Sequence, residues 1–204
     1  ENANLINVTA VAHDPHGNIY IGDSGAGRIR RINATSGIIE TVAGTGTPGY
    51  DGDKRRAKSA QVGFIRAIRF DEQGNLYFVD QAHHVIRRID IESGIITTIA
   101  GTGEAGFSPD GVNAQAAQIY EPCGLAISNA GQIYFSDTRN NRVRRITPDG
   151  RLETVAGCNE PGDAADSGPA NLAHLNEPYG LCFFADNILL ICDHWNNKIR
   201  AVKV

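Results

Sequence analysis

The sequence predicts an all-β fold, a β-propeller of four-stranded antiparallel blades, from three observations. One phrase recurs, as RIRRINATSGIIETVAG at 28–44, VIRRIDIESGIITTIAG at 85–101 and RVRRITPDGRLETVAG at 142–157. Four apolar runs end in an aspartate at a spacing of 57, 57 and 56 residues, namely Asp23, Asp80, Asp137 and Asp193. The chain also has 23 glycines that separate short apolar runs, as in turn-rich β proteins. A fixed period of this length indicates stacked supersecondary units, each unable to bury its faces alone.

Each unit contains four strand-like runs. In the second unit they are IRAIRF, NLYFVD, VIRRID and IITTIA, and the turn signals DEQG, QAHH and ESG separate them. The runs are rich in β-branched and aromatic residues, and four antiparallel strands make one propeller blade. We expect one propeller domain, or part of one, over 1–204, with blades at about 5–45, 62–102, 119–158 and 175–204.

The last blade lacks its outer strand, because the sequence ends at KIRAVKV without a further TVAG segment. An unpaired strand edge invites pairing with another chain, so self-association through this incomplete blade is possible. The chain is therefore interpreted as a fragment of a longer propeller, or as a small ring completed by itself or by a partner. Glu1 is not an initiator methionine and no apolar signal segment precedes the first repeat, so we expect a processed or excised product.

The connection after each outer strand holds small residues at matching places, such as Ala57, Ala114 and Ala170. This spacing predicts a single helical turn laid over the next blade. Three aspartates precede the turns and are predicted to cap their starts: Asp53, Asp110 and Asp166.

Composition narrows the class of protein. Of 204 residues, 41% are hydrophobic and 21% charged, which is ordinary for a soluble globular domain, and no apolar run approaches the roughly 20 residues needed to cross a bilayer. The net charge of −4 makes nucleic acid an unlikely partner. The four cysteines lack CxxC spacing, so we expect no zinc site and free thiols, with one disulfide pair left open.

The segments EPCGLAIS, GQIYFSDTRNNRVRRI and ETVAG resemble the NHL repeat over almost the whole chain. The resemblance implies a β-propeller, usually with six blades. Some propellers of this kind bind RNA through one basic face, and others are lyases or hydrolases that hold a metal on the axis. Members often lie on bacterial surfaces or in sensor ectodomains, which implies an extracytoplasmic location that is secreted, periplasmic or at the cell surface.

Two recurring features have structural interpretations. Neighbours in a strand, such as Arg87 and Arg88, point to opposite faces, so the arginine pairs form no single basic stripe for RNA. We expect them to pair with carboxylates between blades. An aspartate that closes a strand before a turn usually accepts backbone N–H bonds, which is the role predicted for Asp23 and its equivalents.

Positions where the repeats disagree are positions that the scaffold does not dictate. One such position, at the start of the first strand, is predicted to line a ligand-facing rim: Thr9, Arg66, Cys123 and Tyr179. The turns on the same side add further rim candidates: His83, Arg139, His194 and Trp195. Trp195 is either a contact residue or a side chain folded over the blade. Arg69 and His13 are candidates for a hydrated central channel.

The preferred interpretation is a non-catalytic recognition or scaffold module that binds a protein, peptide or glycan at the rim. No two of the six histidines share a repeat position, and no nucleophile–base pair is evident, so we predict no catalytic or metal residues and no cofactor. The alternative is a metal-dependent lyase or hydrolase with axial calcium or zinc, combining Arg66, Tyr179 and His13. A second alternative is a purely architectural repeat of a larger assembly.

Overall fold

The computed structural model describes residues 3–164 and 167–204, and its regular structure there consists of strands and short 3-10 turns. Four antiparallel sheets follow one another along the chain. The first blade is β1 (Val8–His13), β2 (Ile19–Asp23), β3 (Arg28–Ile32) and β4 (Ile39–Ala43). The second is β5 (Ile65–Phe70), β6 (Leu76–Asp80), β7 (Val85–Ile89) and β8 (Ile96–Ala100).

The third blade is β9 (Leu125–Ile127), β10 (Ile133–Asp137), β11 (Arg142–Ile146) and β12 (Leu152–Ala156). The fourth has three strands, β13 (Pro178–Ala185), β14 (Ile188–Asp193) and β15 (Lys198–Lys203). The predicted fold class is confirmed, including the missing outer strand of the last blade among the described residues. The chain divides into two compact units, one ending at Ile99 and the other Ala100–Val204. No helix in the described part of the chain is long and apolar enough to span a membrane.

The turn between the second and third strands has the same geometry in every blade. A three-residue 3-10 turn follows the closing aspartate, and the next residue adopts the left-handed conformation, with φ between 51° and 54°. Glycine or asparagine suits this conformation at Gly27, Asn141 and Asn197. His84 occupies it in the second blade, so its role is structural.

The closing aspartates tie the start of each blade to its second strand. Asp23 Oδ1 accepts the backbone N–H groups of Ile6 and Asn7, at 3.1 and 3.0 Å. In the later blades the backbone donors are Gly63 to Asp80, Tyr120 to Asp137, and Asn176 to Asp193. The prediction that these carboxylates accept backbone N–H bonds is confirmed.

Within the first unit, the core lies between its two blades. Ile29, Tyr20 and Ala43 of the first blade pack against Ile65 and Ile68 of the second, and all five are buried. A Cβ at Gly22 would lie 2.7 Å from Ile65 Cγ2, so glycine permits this close approach. Because this core joins the first and second blades, each of the two depends on the other for its stability.

The aspartates of the connections do not cap the turns, so that prediction is wrong. Asp53 instead accepts Arg87 Nη2 and the backbone N–H of Thr98, each at 2.7 Å. Asp110 accepts Arg144 Nη2 at 3.1 Å and Thr154 Oγ1 at 2.8 Å. The 3-10 turns Ala57–Ser59 and Ala114–Ala116 start four residues later, beyond the reach of a capping carboxylate. Asp166 lies outside the described residues.

The arginine pairs alternate as expected for strand neighbours. Arg87 and Arg144 are fully buried, whereas Arg88 and Arg145 are half-buried and pair with Asp90 and Glu153. The four cysteines are free thiols, of which Cys123 is buried and Cys182 exposed. The arginines therefore stabilise the blades and present no basic stripe.

Candidate functional site

Five of the predicted rim residues belong to the second unit, and the structure gathers four of them at the start of the third and fourth blades. We call this group, with two glutamates that join it, the aromatic–arginine cluster: Glu121, Arg139, Glu177, Tyr179, His194 and Trp195. The fifth, Cys123, lies buried beside it, with its Sγ 3.5 Å from the carbonyl oxygen of Glu121.

Arg139 lies at the centre of the cluster, in the 3-10 turn Thr138–Asn140. Its Nε donates to Glu121 Oε2 at 3.0 Å and its Nη1 to Glu177 Oε1 at 2.5 Å. The hydrogen bond to Glu121, followed by the charge of Glu177, raises the pKa of the Arg139 guanidinium. The side chain is still 46% exposed, so a cation held by two blades faces solvent.

The two glutamates have unusual backbone conformations. Glu121 and Glu177 have φ values of 46° and 48°, and each directly precedes a proline. The left-handed region is unfavourable for a glutamate, and the following proline restricts its backbone further. Such residues cost on the order of 1–3 kcal/mol and persist where the surroundings determine them. The corresponding positions of the first unit, Asn7 and Phe64, do not adopt it, so the scaffold does not require this conformation in every blade.

An aromatic surface adjoins Glu177. The rings of Tyr179 and His194 stack in parallel, with centroids 4.2 Å apart and planes 5° apart. Trp195 meets His194 edge to face at 5.1 Å, and its backbone N–H donates to Asn176. Trp195 is 60% exposed, so most of its side chain faces solvent.

The candidates of the first unit make scaffold contacts. Thr9 Oγ1 donates to the carbonyl oxygen of Ile65 at 2.6 Å and lies 2.5 Å from Ser24 Oγ, which joins the two blades. His83 Nδ1 bonds to the buried carboxylate of Asp80 at 2.8 Å, and its ring stacks on Tyr50. His83 holds the repeat position at which Asn140 and Asn196 bond to Asp137 and Asp193. Arg66 is half-buried.

The two channel candidates, His13 and Arg69, line one cavity of about 530 Å³ in the first unit. Arg69 Nη1 donates to the carbonyl oxygen of Ile68. Two carboxylates also line this cavity, and each accepts a side-chain amide, Asp14 from Asn18 and Asp71 from Asn75. Among residues 3–164 and 167–204, no group of three His, Cys, Asp or Glu side chains could hold a metal ion.

The sequence analysis missed Glu121 and Glu177, although Glu121 begins the segment EPCGLAIS and Glu177 holds the same repeat position in EPYG at 177–180. The signal was a glutamate before proline in two blades and not in the other two. The role of these two glutamates follows from their backbone φ and from their bonds to Arg139, which is distant from Glu177 in the sequence.

Comparison with descriptions of known protein families finds no match. The chain is similar to Protein SUPPRESSOR OF QUENCHING 1, chloroplastic, of Arabidopsis thaliana, at 33% identity over 138 residues, which cover 62% of this chain and 12% of that protein. It is also similar to Teneurin-4 of Homo sapiens, at 28% identity over 285 residues, covering 95% of this chain and 10% of that protein. The chain spans only about a tenth of the length of these curated relatives.

Among solved structures, a protein of unknown function from Bacteroides thetaiotaomicron superposes with a TM-score of 0.75 at 21% identity, over 96% of this chain and 47% of that one. An auxiliary nutrient binding protein from Bacteroides ovatus superposes with a TM-score of 0.72 at 20% identity, over 99% of this chain and 50% of that one. Virginiamycin B lyase from Staphylococcus aureus superposes with a TM-score of 0.53 at 18% identity, over 97% of this chain and 70% of that one. At these identities the likeness shows the fold alone, and the fold is that of the β-propeller proteins.

Proposed function

We propose that the chain is a non-catalytic recognition module of the NHL type, which binds a protein, peptide or glycan through the aromatic–arginine cluster. The observation that carries this proposal is the strained pair Glu121 and Glu177, which hold Arg139 exposed. The exposed Trp195 is bonded through its backbone N–H to Asn176, the residue before Glu177. Arginine and tryptophan are the residues most enriched among the dominant contacts of binding surfaces.

The cluster has the features that recognition requires. Arg139 is held by two carboxylates, so little conformational entropy is lost when it donates to a ligand. The stacked rings of Tyr179 and His194 form a rigid base for Trp195. Such rigid aromatic groups offer a large apolar area to a peptide side chain or the face of a sugar.

A location outside the cytoplasm is part of the proposal. The NHL resemblance implies this location, and auxiliary nutrient binding proteins among the structural neighbours support a binding role.

The binding test uses an immobilised oligosaccharide panel and a displayed library of random peptides as probes, read on the purified chain. We expect a saturable ligand that Trp195→Ala and Arg139→Ala each weaken by about 30-fold, since a dominant contact contributes about 2 kcal/mol. Arg151→Ala is the matched control, because Arg151 is an arginine of the same unit, 58% exposed, whose carboxylate partner is Asp149. Equal losses in all three variants, or no loss in any, would remove the cluster from the binding surface.

Glu177→Gly tests whether the strain serves recognition. Glycine relieves the left-handed backbone at φ 48° while removing one carboxylate from Arg139, so stability should change by less than about 1 kcal/mol. Affinity for the ligand found above should fall. A large loss of stability with unchanged affinity would show that Glu177 is a scaffold residue.

The metal-dependent lyase or hydrolase is the second candidate, supported by the fold likeness to virginiamycin B lyase. Elemental analysis of the folded protein and thermal melts with and without EDTA separate the two. A stoichiometric metal whose removal lowers the melting temperature would replace recognition by the enzyme hypothesis, because a ligand bound only to the native state stabilises it.

A further inference from the structure

Another cavity of the first unit lies between its two blades, on the side of the outer strand β4. It has a volume of about 450 Å³, and its lining includes Val42, Arg56, Lys58, Ile89 and Ile91. Both blades have all four strands, so the cavity belongs to complete blades. A cavity of this volume is within the range of sites that bind small molecules.

The inner wall of the cavity is apolar. Val42, Ala57 and Ile89 belong to the core cluster between the two blades, and Ala57 and Ile89 are buried. Ile91 adds an apolar side chain that is 49% exposed, whereas the first blade has the smaller Ala34 at this repeat position. A ligand that covered Ile91 would remove apolar surface from water, which favours binding.

Two exposed cations, Arg56 and Lys58, border the same cavity. Arg56 Nη1 donates to the carbonyl oxygen of Ser93 at 2.6 Å, which holds the guanidinium over the turn between β7 and β8. A guanidinium has several N–H donors, so this bond leaves others for a ligand. Within residues 3–164 and 167–204, neither Arg56 nor Lys58 forms an ion pair with a carboxylate.

One carboxylate, Asp90, also lines the cavity, and its neighbours already satisfy it. It accepts Arg88 Nη2 at 2.9 Å, and it accepts the backbone N–H and the hydroxyl of Ser93 at 2.9 and 2.8 Å. Since the charge of Arg88 offsets that of Asp90, the charges of Arg56 and Lys58 leave the cavity positive.

The repeats show that the scaffold does not require this positive charge. The connection reads DKRRAKS at 53–59 and DGVNAQA at 110–116, so Asn113 and Gln115 replace Arg56 and Lys58 in the third blade. Lys54 has a φ of 62°, where the third blade has Gly111 with a φ of 86°. This left-handed conformation is unfavourable for lysine and not for glycine. The connection therefore carries a cation even where the backbone favours glycine.

We propose that this cavity binds a small amphipathic anion, a carboxylate with an aliphatic or aromatic tail. The tail packs on Val42, Ile89 and Ile91, and the carboxylate pairs with Arg56 and Lys58. An extended polyanion would match the basic connection but would leave the apolar wall unused, so the cavity favours the small ligand. The proposal is independent of the function assigned to the aromatic–arginine cluster.

The test is isothermal titration calorimetry of the native chain with octanoate, below the concentration at which octanoate forms micelles. We expect saturable one-to-one binding. Octylammonium has the same tail with the opposite charge, and acetate has the same head group without the tail. Each should bind at least about 10-fold more weakly than octanoate, because the tail and the negative charge both contribute. Equal affinity for octanoate and octylammonium, or no saturable binding of octanoate, would overturn the proposal.

Two variants locate the ligand. The double variant Arg56→Asn and Lys58→Gln gives the connection the residues of the third blade, and it should weaken octanoate binding at least about 10-fold. Arg55→Val is the matched control, because it also removes a cation and introduces the residue of the third blade, Val112, but Arg55 does not line the cavity. This control should bind octanoate as the native chain does.

The third blade folds with the substituted residues, so both variants should keep the melting temperature of the native chain. If the double variant fails to fold, the three ligands still test the proposal on the native chain. Equal losses of octanoate binding in the double variant and in Arg55→Val would show a general effect of charge and overturn the cavity site. Retention of the native chain on heparin without octanoate binding would also overturn it, and would assign the connection to an extended polyanion.

Discussion

Substituting Ala26→Asn should stabilise the first blade, because it completes a hydrogen-bond pattern that the other blades contain. Asn196 Nδ2 donates to Asp193 Oδ2 at 2.8 Å, and Asn140 Nδ2 donates to Asp137 Oδ1 at the same distance. His83 makes the equivalent bond in the second blade. Ala26 holds this position in the first blade, and the buried Oδ2 of Asp23 has no hydrogen-bond partner among the described residues.

The magnitude follows from the cost of an unsatisfied buried acceptor. Such an atom costs about 1–3 kcal/mol, and a single hydrogen bond contributes about 1 kcal/mol net. We therefore expect Ala26→Asn to raise the free energy of unfolding by about 1 kcal/mol and the melting temperature by about 2–4 °C for a chain of this size. The reciprocal change, Asn196→Ala, removes bonds to both Asp193 and Gly162 and should destabilise by about 2 kcal/mol.

Urea denaturation followed by circular dichroism measures both changes, with the m-value showing whether the unfolded state has altered. Ala26→Ser is the control, since its shorter side chain adds a hydroxyl group without the reach of the amide. If Ala26→Asn lowers stability while Asn196→Ala also does so, the first blade has no room for the amide. The inference that the repeats are interchangeable at this position would then be wrong.

Three further predictions concern buried charge and thiol access. Burial raises the pKa of the Asp137 carboxyl group from 3.8 to about 6, so the folded state favours the protonated carboxyl. The stability that this shift contributes is fully present below about pH 4 and is lost as the pH rises through 6. Asp137→Asn should therefore flatten this part of a plot of unfolding free energy against pH. Arg87→Met should lower the free energy of unfolding by about 2–3 kcal/mol in urea denaturation, because the carbonyl oxygens of Gln61 and Asp51 and the carboxylate of Asp53 lose the donor that the buried Arg87 supplies. No loss would show these bonds to be dispensable. In the folded protein, Ellman's reagent should label the exposed Cys182 at once and the buried Cys123 only after denaturant is added, whereas rapid labelling of Cys123 would show that the third blade opens locally.

The fold could be predicted from the sequence because repetition makes each element visible several times. Asp80 and its equivalents each end the second strand of a blade. The alternating apolar residues of the neighbouring strands then indicate how the strands pair. The roles of Asp53 and Asp110 could not be predicted from local pattern. A capping aspartate and one that holds Arg87 from 34 residues away have the same sequence surroundings, and only the packed blade distinguishes them.

The candidate site was predictable only in part, for a related reason. Comparing repeats identified Arg139, Tyr179, His194 and Trp195 as positions that the scaffold leaves free, and the structure brings them together. The same comparison also selected Thr9 and His83, which differ between repeats yet make scaffold bonds to Ile65 and Asp80. Variation among repeats therefore has two causes. Either a different residue makes the same scaffold contact, or the residue makes no scaffold contact and is available for binding. Sequence alone does not distinguish the two.

Backbone conformation, taken together with what the side chain contacts, helps to distinguish these two causes. A residue that makes the same scaffold contact with a different side chain needs no unfavourable backbone conformation. His83 is an example, because its Nδ1 lies 2.8 Å from Asp80 Oδ1, the distance at which Asn140 Nδ2 donates to Asp137 Oδ1. Glu121 and Glu177 are different, since each adopts a left-handed φ before a proline while its side chain does nothing for the core and holds an exposed arginine. Such conformations cost on the order of 1–3 kcal/mol, persist where the surrounding structure determines them, and cluster at functional sites. This argument supports the proposal that the surface around Arg139 binds the ligand.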